Sequence, residues 1–335
     1  MRLSSRGQQI PWESTSLESD VFIFTDSVRK LDAAELEQLL LDDLAAWSRI
    51  RKSRNIDDWV QYLREFPNGR FAEIAQMRVS RMLAEVVKAA PASSPPTSAA
   101  EVRIENPVLE LKPGEDMTVL PPASANPNSA GRYPLGRKFT VGDRCEYRIS
   151  DLLTGVEQGK LTLRVTRVDE TNDRVESNDG EWVHDLMGNL RRSPARGESD
   201  IPQQLIPAEL QIGRKWTAGW TMQHPRWGKL IYDLACQVEV LEEIVVPAGR
   251  FKAFRVRARG WIRNGGDYLD WTRWIVPGIN VSIRIDILSR SPSGRMATTA
   301  RYELVSLVQH AFEQGCSVQT IGRTRTLQIG QDCSA

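Results

Sequence analysis

The amino-acid sequence predicts an α+β protein of several modules: a small helical module, a proline-rich linker and an all-β domain, which is an antiparallel curved sheet or half-barrel. Three observations support this prediction. Apolar residues recur at helical spacing within residues 31–90, nine of the 18 prolines lie in residues 91–134, and apolar and polar residues alternate within residues 135–310. We expect the last segment, residues 311–335, to form a tail or a hairpin.

The composition argues against several classes of protein. The chain has 335 residues, of which 41% are apolar and 26% charged, and its formal net charge is only +1. A nucleic-acid-binding protein would carry an excess of basic residues, so we expect no nucleic-acid partner. No apolar run approaches the roughly 18 residues that suggest a membrane-spanning helix, so we expect no transmembrane segment.

Three short helices are predicted in the helical module, each with one apolar face. On the first helix this face is formed by Leu36, Leu40, Leu44 and Trp47. On the second it is formed by Trp59, Tyr62, Leu63 and Phe66. On the third it is formed by Phe71, Ala75, Val79, Met82 and Val86. Because all the aromatic residues fall at core spacing, we expect them to pack rather than to catalyse a reaction.

Two stretches of this module carry a recognisable pattern. Trp47-Ser48-Arg49-Ile50 is followed, after Tyr62-Leu63, by Phe66-Pro67-Asn68-Gly69-Arg70-Phe71-Ala72. This order resembles the W-x-x-I…Y-L…F-P-x-G-x-F-A unit of many bacterial envelope and caspase-family proteins, a unit that is similar to a tetratricopeptide repeat. The resemblance implies an interaction scaffold, and hence a protein partner for the helical module.

A second resemblance precedes the helices. Gln9-Ile10-Pro11-Trp12-Glu13-Ser14 and Val21-Phe22-Ile23-Phe24 resemble the segment that closes bacterial caspase-like domains of the p20 type. The catalytic His and Cys of that family lie upstream of this segment, and only eight residues precede Gln9. The resemblance therefore implies that residues 1–30 are the remnant of a closing strand. It also implies that the chain is the C-terminal, non-catalytic part of a caspase-like protein.

Residues 91–134 are predicted to be a linker. Proline, alanine and serine dominate this segment and favour an extended chain without a core. A few apolar residues interrupt it, notably Val108-Leu109 and Val119-Leu120, and these leave open that a strand docks onto a neighbouring module. We take a solvated linker as the default.

In the β domain, apolar residues alternate over many short segments separated by turn signals, which predicts one strongly curved or nearly closed antiparallel sheet. Cys145 and Cys236 fall on its inward phase, either as a cross-strand pair or as buried thiols. The order Val245-Val246-Pro247-Ala248-Gly249, then Trp271, Trp274 and Pro277-Gly278, resembles a family of bacterial envelope proteins of unknown function. That resemblance implies a sheet similar to the half-barrels of lipoprotein carriers.

Six tryptophans of this domain are our candidate ligand-binding residues: Trp216, Trp220, Trp227, Trp261, Trp271 and Trp274. Indole rings suit a groove for a lipid, a glycan or a proline-rich peptide. The alternative is that they fill the concave interior of the sheet. Neighbouring glycines indicate loops around Trp216, Trp220 and Trp227, which makes these three the stronger candidates.

Other chemistry is sparsely represented in the sequence. The three histidines and four cysteines show no metal-ligand spacing, so we expect no metal, no cofactor and no catalytic residue. A disulfide between Cys316 and Cys333 is one hypothesis, and four free thiols is the other. Arg255, Arg257 and Arg259 share one strand face, which favours a solvated, salt-bridged surface over an anion-binding stripe.

These observations lead to one functional prediction and one alternative. The prediction is a non-catalytic accessory protein of the bacterial cell envelope, whose helical scaffold meets a protein partner while its β domain binds a partner, a glycan or an apolar ligand. The alternative is the C-terminal portion of a caspase-like cysteine endopeptidase whose catalytic domain is missing from this chain. The first ten residues do not fit the pattern of a signal peptide, so we expect a periplasmic or envelope location if an upstream signal exists and a cytoplasmic one otherwise.

Overall fold

The computed structural model describes residues 33–67, 69, 71–89, 108–115, 117–121, 131–310 and 317–320. These residues form three helices, α1 (Ala33–Ile50), α2 (Ile56–Glu65) and α3 (Ala72–Ala89), and seventeen strands. In the described part of the chain, no helix combines the length and the apolar character needed to cross a membrane.

The three predicted helices are confirmed. The side chain of Asn55 accepts a hydrogen bond from the backbone N–H of Asp57 and caps α2, which explains the break in the pattern before this helix. Trp59 and Tyr62 are buried, and the ring of Trp47 stacks on Phe71 with 4.6 Å between centroids. The predicted apolar face of α1 is wrong at its third member because Leu44 is 47% exposed.

The strands are short near the chain's proline-rich segment and long in the β domain. Their bounds are β1 Leu109–Leu111, β2 Met117–Leu120, β3 Arg132–Pro134, β4 Arg144–Ser150, β5 Glu157–Asp169, β6 Arg174–Ser177, β7 Trp182–His184, β8 Leu190–Ser193, β9 Gly197–Ser199, β10 Glu209–Gln211, β11 Lys215–His224, β12 Gly228–Val246, β13 Gly249–Ile262, β14 Tyr268–Ile275, β15 Ser282–Arg290, β16 Met296–Gln309 and β17 Ser317–Thr320.

Twelve of these strands form a closed barrel. The hydrogen-bonded order runs β12, β11, β9, β8, β7, β6, β5, β4, β16, β15, β14 and β13, and the additional pairing of β12 with β13 closes the ring. Every neighbouring pair in the ring is antiparallel. The prediction of an antiparallel curved sheet is therefore confirmed, and closure leaves no free edge in the ring.

The long strand β12 makes closure possible, since it pairs with β11 along its first half and with β13 along most of its length. A register shift between Val238 and Val240 leaves Glu239 as an extra residue opposite β13. On β13, Ala253 and Phe254 are both buried although they are neighbours in sequence, and they belong to two separate groups of packed core residues. The prediction that Arg255, Arg257 and Arg259 form a salt-bridged surface is also confirmed. Arg255, for example, forms an ion pair with Glu239 at 2.9 Å.

The linker prediction is wrong for residues 108–115 and 117–121, which the structure describes. Strand β1 pairs with β16, and β2 lies parallel to the start of β13. Leu111 and Val119 are fully buried, because alternate residues of both strands are apolar and the prolines lie outside the strands. The alternative, that apolar residues of this segment dock as strands, is the one that the structure shows.

The helical module lies directly against the barrel, which corrects the expectation of a module held only by a flexible tether. A carboxylate oxygen of Glu73 on α3 accepts a hydrogen bond from the backbone N–H of Ala208 at 2.9 Å. The same carboxylate forms an ion pair with Arg214. Farther along α3, Arg81 donates to the backbone carbonyl of Arg137 at 2.9 Å.

Candidate functional site

A cavity of about 170 Å³ lies inside the barrel. Its lining residues alternate along β5, along β7 and between Ile285 and Ile287 of β15, so on each of these strands they share one face of the sheet. An apolar cavity of about 150 Å³ can hold a benzene molecule, so this space admits an aromatic ring or a short alkyl chain. The apolar part of the lining includes Phe139, Leu161, Leu163, Val165, Ile285, Ile287 and Leu307.

Four arginines line this space, Arg137, Arg144, Arg196 and Arg273, and two of them, Arg137 and Arg273, carry buried nitrogens without a partner within the described ranges. The side chain of Arg137 is 4% exposed, and its Nη1 donates to the backbone carbonyl of Met187 at 2.7 Å. Among the residues that the structure describes, Nε and Nη2 of Arg137 and Nε of Arg273 have no hydrogen-bond partner. Burial lowers the pKa of both guanidinium groups to about 10, so both remain charged at neutral pH.

The other polar groups of the lining do not neutralise these arginines. Asp143 is buried and accepts hydrogen bonds from the backbone N–H groups of Thr140 and His310 and from the amide of Asn280. Burial, with Arg273 and Arg137 nearby, lowers the pKa of His184 to about 4, so this imidazole is neutral at pH 7. The cavity therefore holds more positive than negative charge.

A third arginine connects the cavity to a packed group of rings. The guanidinium carbon of Arg196, which lines the cavity, lies 4.9 Å from the ring centroid of Trp271. Trp271 contacts Trp220 and Tyr232, and the rings of the latter two stack at 4.7 Å. We call these three residues, Trp220, Tyr232 and Trp271, the aromatic cluster. Each of the three is at most 8% exposed.

The structure separates the six candidate tryptophans. Trp216 and Trp220 lie on β11, so the prediction that they occupy loops is wrong. Trp220 and Trp271 fill the interior, in agreement with the alternative that we weighed against ligand binding. None of the six is among the residues that line the cavity; the lining tryptophan is Trp182.

The remaining candidate tryptophans lie elsewhere on the barrel. The indole N–H of Trp216 donates to the backbone carbonyl of Gln204 at 2.8 Å, and that of Trp274 donates to a carboxylate oxygen of Glu242 at 2.8 Å. Trp227 is 63% exposed in the turn before β12 and Trp261 is 53% exposed on β13. These positions do not converge on a single groove.

The cysteines of the β domain are buried thiols. Cys145 and Cys236 are free, and burial raises the pKa of each to about 12, so neither is a reactive thiolate at neutral pH. Cys145 lines the cavity. The hypothesis of a Cys316–Cys333 disulfide concerns residues outside those that the structure describes.

No family model, curated protein or solved structure matches this chain. The cavity is the feature of the described residues that bears most directly on function. Its apolar walls and charged groups are suited to holding a small molecule, and sequence reasoning missed the two arginines among them. One signal was present for Arg273, which lies two residues after Trp271 on the inward phase of β14.

Proposed function

We infer that this chain is a non-catalytic binding protein whose barrel holds a small, largely apolar ligand. The observation that carries this proposal is the cavity within a closed barrel of twelve strands, since barrels of more than about eight strands commonly enclose a ligand cavity. Leu161 and Leu163 remain partly exposed on the inward face, whereas the aromatic cluster is close-packed.

The helical module is proposed to be the part of the protein that meets a protein partner. Its third helix lies on the barrel, while Leu41 and Leu44 on α1 are 52% and 47% exposed. The resemblance to envelope proteins supports a location in the bacterial cell envelope. Fractionation of cells that express the complete gene tests this location, and recovery of the protein in the cytosol alone would contradict it.

The binding proposal is tested with N-phenyl-1-naphthylamine, an uncharged dye whose fluorescence rises in apolar surroundings. We expect the purified chain to bind the dye with saturation. Leu163→Trp should abolish this binding, because the larger side chain occupies the cavity. Val245 is 62% exposed, so Val245→Trp adds the same ring to a solvated position and should leave binding unchanged.

Circular dichroism must show that both variants remain folded. Dye binding that is equal in Leu163→Trp and in the wild type would place the dye elsewhere. Absence of saturable binding to the wild type, for the dye and for the alkyl compounds described below, would contradict the proposed function.

A further inference from the structure

We propose that the cavity selects an amphipathic anion, with an oxyanion head bound by Arg137 and Arg273 and an alkyl or aryl tail held by the apolar walls. This inference rests on the proposed function and adds the chemical class of the ligand. The observation behind it is a pair of arginines that line this largely apolar space and carry buried side-chain nitrogens without a hydrogen-bond partner among the described residues.

The charge inside the barrel requires a counter-ion. An unpaired cation buried in protein is unfavourable by several kcal/mol, so buried arginines are ordinarily paired with a carboxylate or a phosphate. In the described part of the chain, no carboxylate forms an ion pair with Arg137, Arg196 or Arg273, although the buried carboxyl of Asp185 acts on Arg137 from a longer distance. Many arginines on the outside of the barrel, such as Arg257 with Asp270 at 2.6 Å, do have such partners.

The position of Arg137 is fixed by the backbone around it. Its Nη1 is held by the carbonyl of Met187, and its own carbonyl accepts a hydrogen bond from Arg81 of α3. Gly188 lies so close to the guanidinium that a Cβ atom at this position would overlap Nη1. With Nη1 fixed, the two remaining donors of Arg137 are left for a ligand oxygen.

The apolar walls determine the rest of the ligand. Leu163, Ile285 and Ile287 offer no hydrogen-bonding groups, so they favour a hydrocarbon tail. A cationic head group, such as an ammonium, would be repelled by the arginines. A neutral head group would leave their positive charge without a counter-charge. A carboxylate and a phosphate both offer two oxygen atoms that a guanidinium group can bind. The experiment below compares a ligand of each kind.

The test measures displacement of N-phenyl-1-naphthylamine by octanoate, octyl phosphate, 1-octanol and octylammonium at pH 7.5, all below their micellar concentrations. We expect at least one of the two anions to bind about tenfold or more tightly than octanol, because a charge-assisted hydrogen bond contributes about 1.5–3 kcal/mol. Octylammonium should bind most weakly. The preferred anion identifies the head group.

Two variants test the role of the arginines. Arg273→Gln should reduce the affinity for the preferred anion about tenfold while leaving octanol affinity unchanged. Arg137→Gln should have the same effect, so the proposal remains testable if one variant fails to fold. Arg263 is an exposed partner of Asp233 on the outside of the barrel, and Arg263→Gln serves as the matched control.

The outcomes distinguish this inference from the proposed function. If octanol binds as tightly as both anions, or if neither arginine variant changes anion affinity, the anionic ligand is contradicted while an apolar-ligand barrel stands. If tighter binding is found for octylammonium, the inferred charge is wrong. If none of the four compounds or the dye binds, both proposals fail.

Discussion

The aromatic cluster and the cavity occupy the same barrel but differ in how their space is filled. Around Trp220, the rings of Tyr232 and Trp271 and the side chain of Leu234 are buried in one continuous core. Across the interior, Leu161 and Leu163 face empty space beside Arg137 and Arg273. The first region satisfies the rule that protein interiors are close-packed, whereas the second departs from it.

This difference separates stability from binding. A residue in the close-packed region has partner atoms on every side, so its removal leaves a new void. A residue that lines the cavity already lacks partners on one side, so its removal changes less in the unliganded protein. We therefore expect substitutions in the aromatic cluster to lower the free energy of unfolding and substitutions in the cavity to change ligand affinity.

The largest expected effect is in the aromatic cluster. Trp220→Ala should lower the free energy of unfolding by about 4 kcal/mol, because a large buried ring is removed from a packed core. Trp261 is 53% exposed, and Trp261→Ala should cost less than about 1 kcal/mol. Urea denaturation measures both values. Equal losses would show that the cluster is not a distinct packed region.

The next comparison uses one residue type in both regions. Leu234 is fully buried, so Leu234→Ala should cost about 3 kcal/mol. Leu163→Ala should cost about 1 kcal/mol, since this side chain faces the cavity. Denaturation of the two variants side by side gives the difference directly. A larger loss for Leu163→Ala would indicate that the cavity wall is packed.

Residue patterns were sufficient to predict the helices and the antiparallel sheet, because amphipathic periodicity reflects burial on one face. They could not predict closure of the barrel. Closure requires β12 to pair with both β11 and β13. The residue pattern of a single strand does not show which other strands it will pair with. The strands β1 and β2 were predicted only as an alternative to a solvated linker, since strands of three or four residues carry little periodic signal.

The candidate site was predicted less well than the fold. Tryptophan content drew attention to indole rings, but a large apolar ring is also the best filler of a barrel interior, as Trp220 shows. Arg137 belongs to no strand, and its sequence neighbours give no sign that a guanidinium is buried there. Sequence reasoning can identify an inward arginine on a strand, such as Arg273, but it cannot identify one that a loop carries inward.

His184, which lines the cavity, should make the free energy of unfolding depend on pH, whereas the aromatic cluster should not. The pKa of His184 is lowered to about 4 by burial and by Arg273 and Arg137, against about 6.5 for a free histidine. The unfolded chain therefore binds the extra proton first, and stability that is present above pH 6.5 is lost as pH falls towards 4. Between pH 7.5 and pH 5 the contribution of His184 to this loss is about 2 kcal/mol. Burial raises the pKa of Asp185 to about 7, so this carboxyl contributes in the opposite direction, and the effect of His184 is measured as the difference between wild type and variant.

His184→Asn removes this titration, and its unfolding free energy should fall less than that of the wild type over the same range. Urea denaturation at pH 7.5 and at pH 5 gives the two slopes. Trp220→Ala, which alters the aromatic cluster, should lower stability by the same amount at both pH values. If the free energy of unfolding changes by the same amount between the two pH values in the wild type and in His184→Asn, His184 is solvated.

The smallest expected effect has the opposite sign. Arg137→Met should raise the free energy of unfolding of the unliganded protein by about 1 kcal/mol, because it removes a buried charge with two unused donors and loses one hydrogen bond to Met187. Arg263→Met, on the solvated surface, should change stability little. If Arg137→Met is more stable than the wild type but binds the anion less tightly, Arg137 contributes to binding and lowers the stability of the unliganded protein. A loss of about 3 kcal/mol or more would instead show that Arg137 has a structural partner, and would identify this part of the interior as a second core.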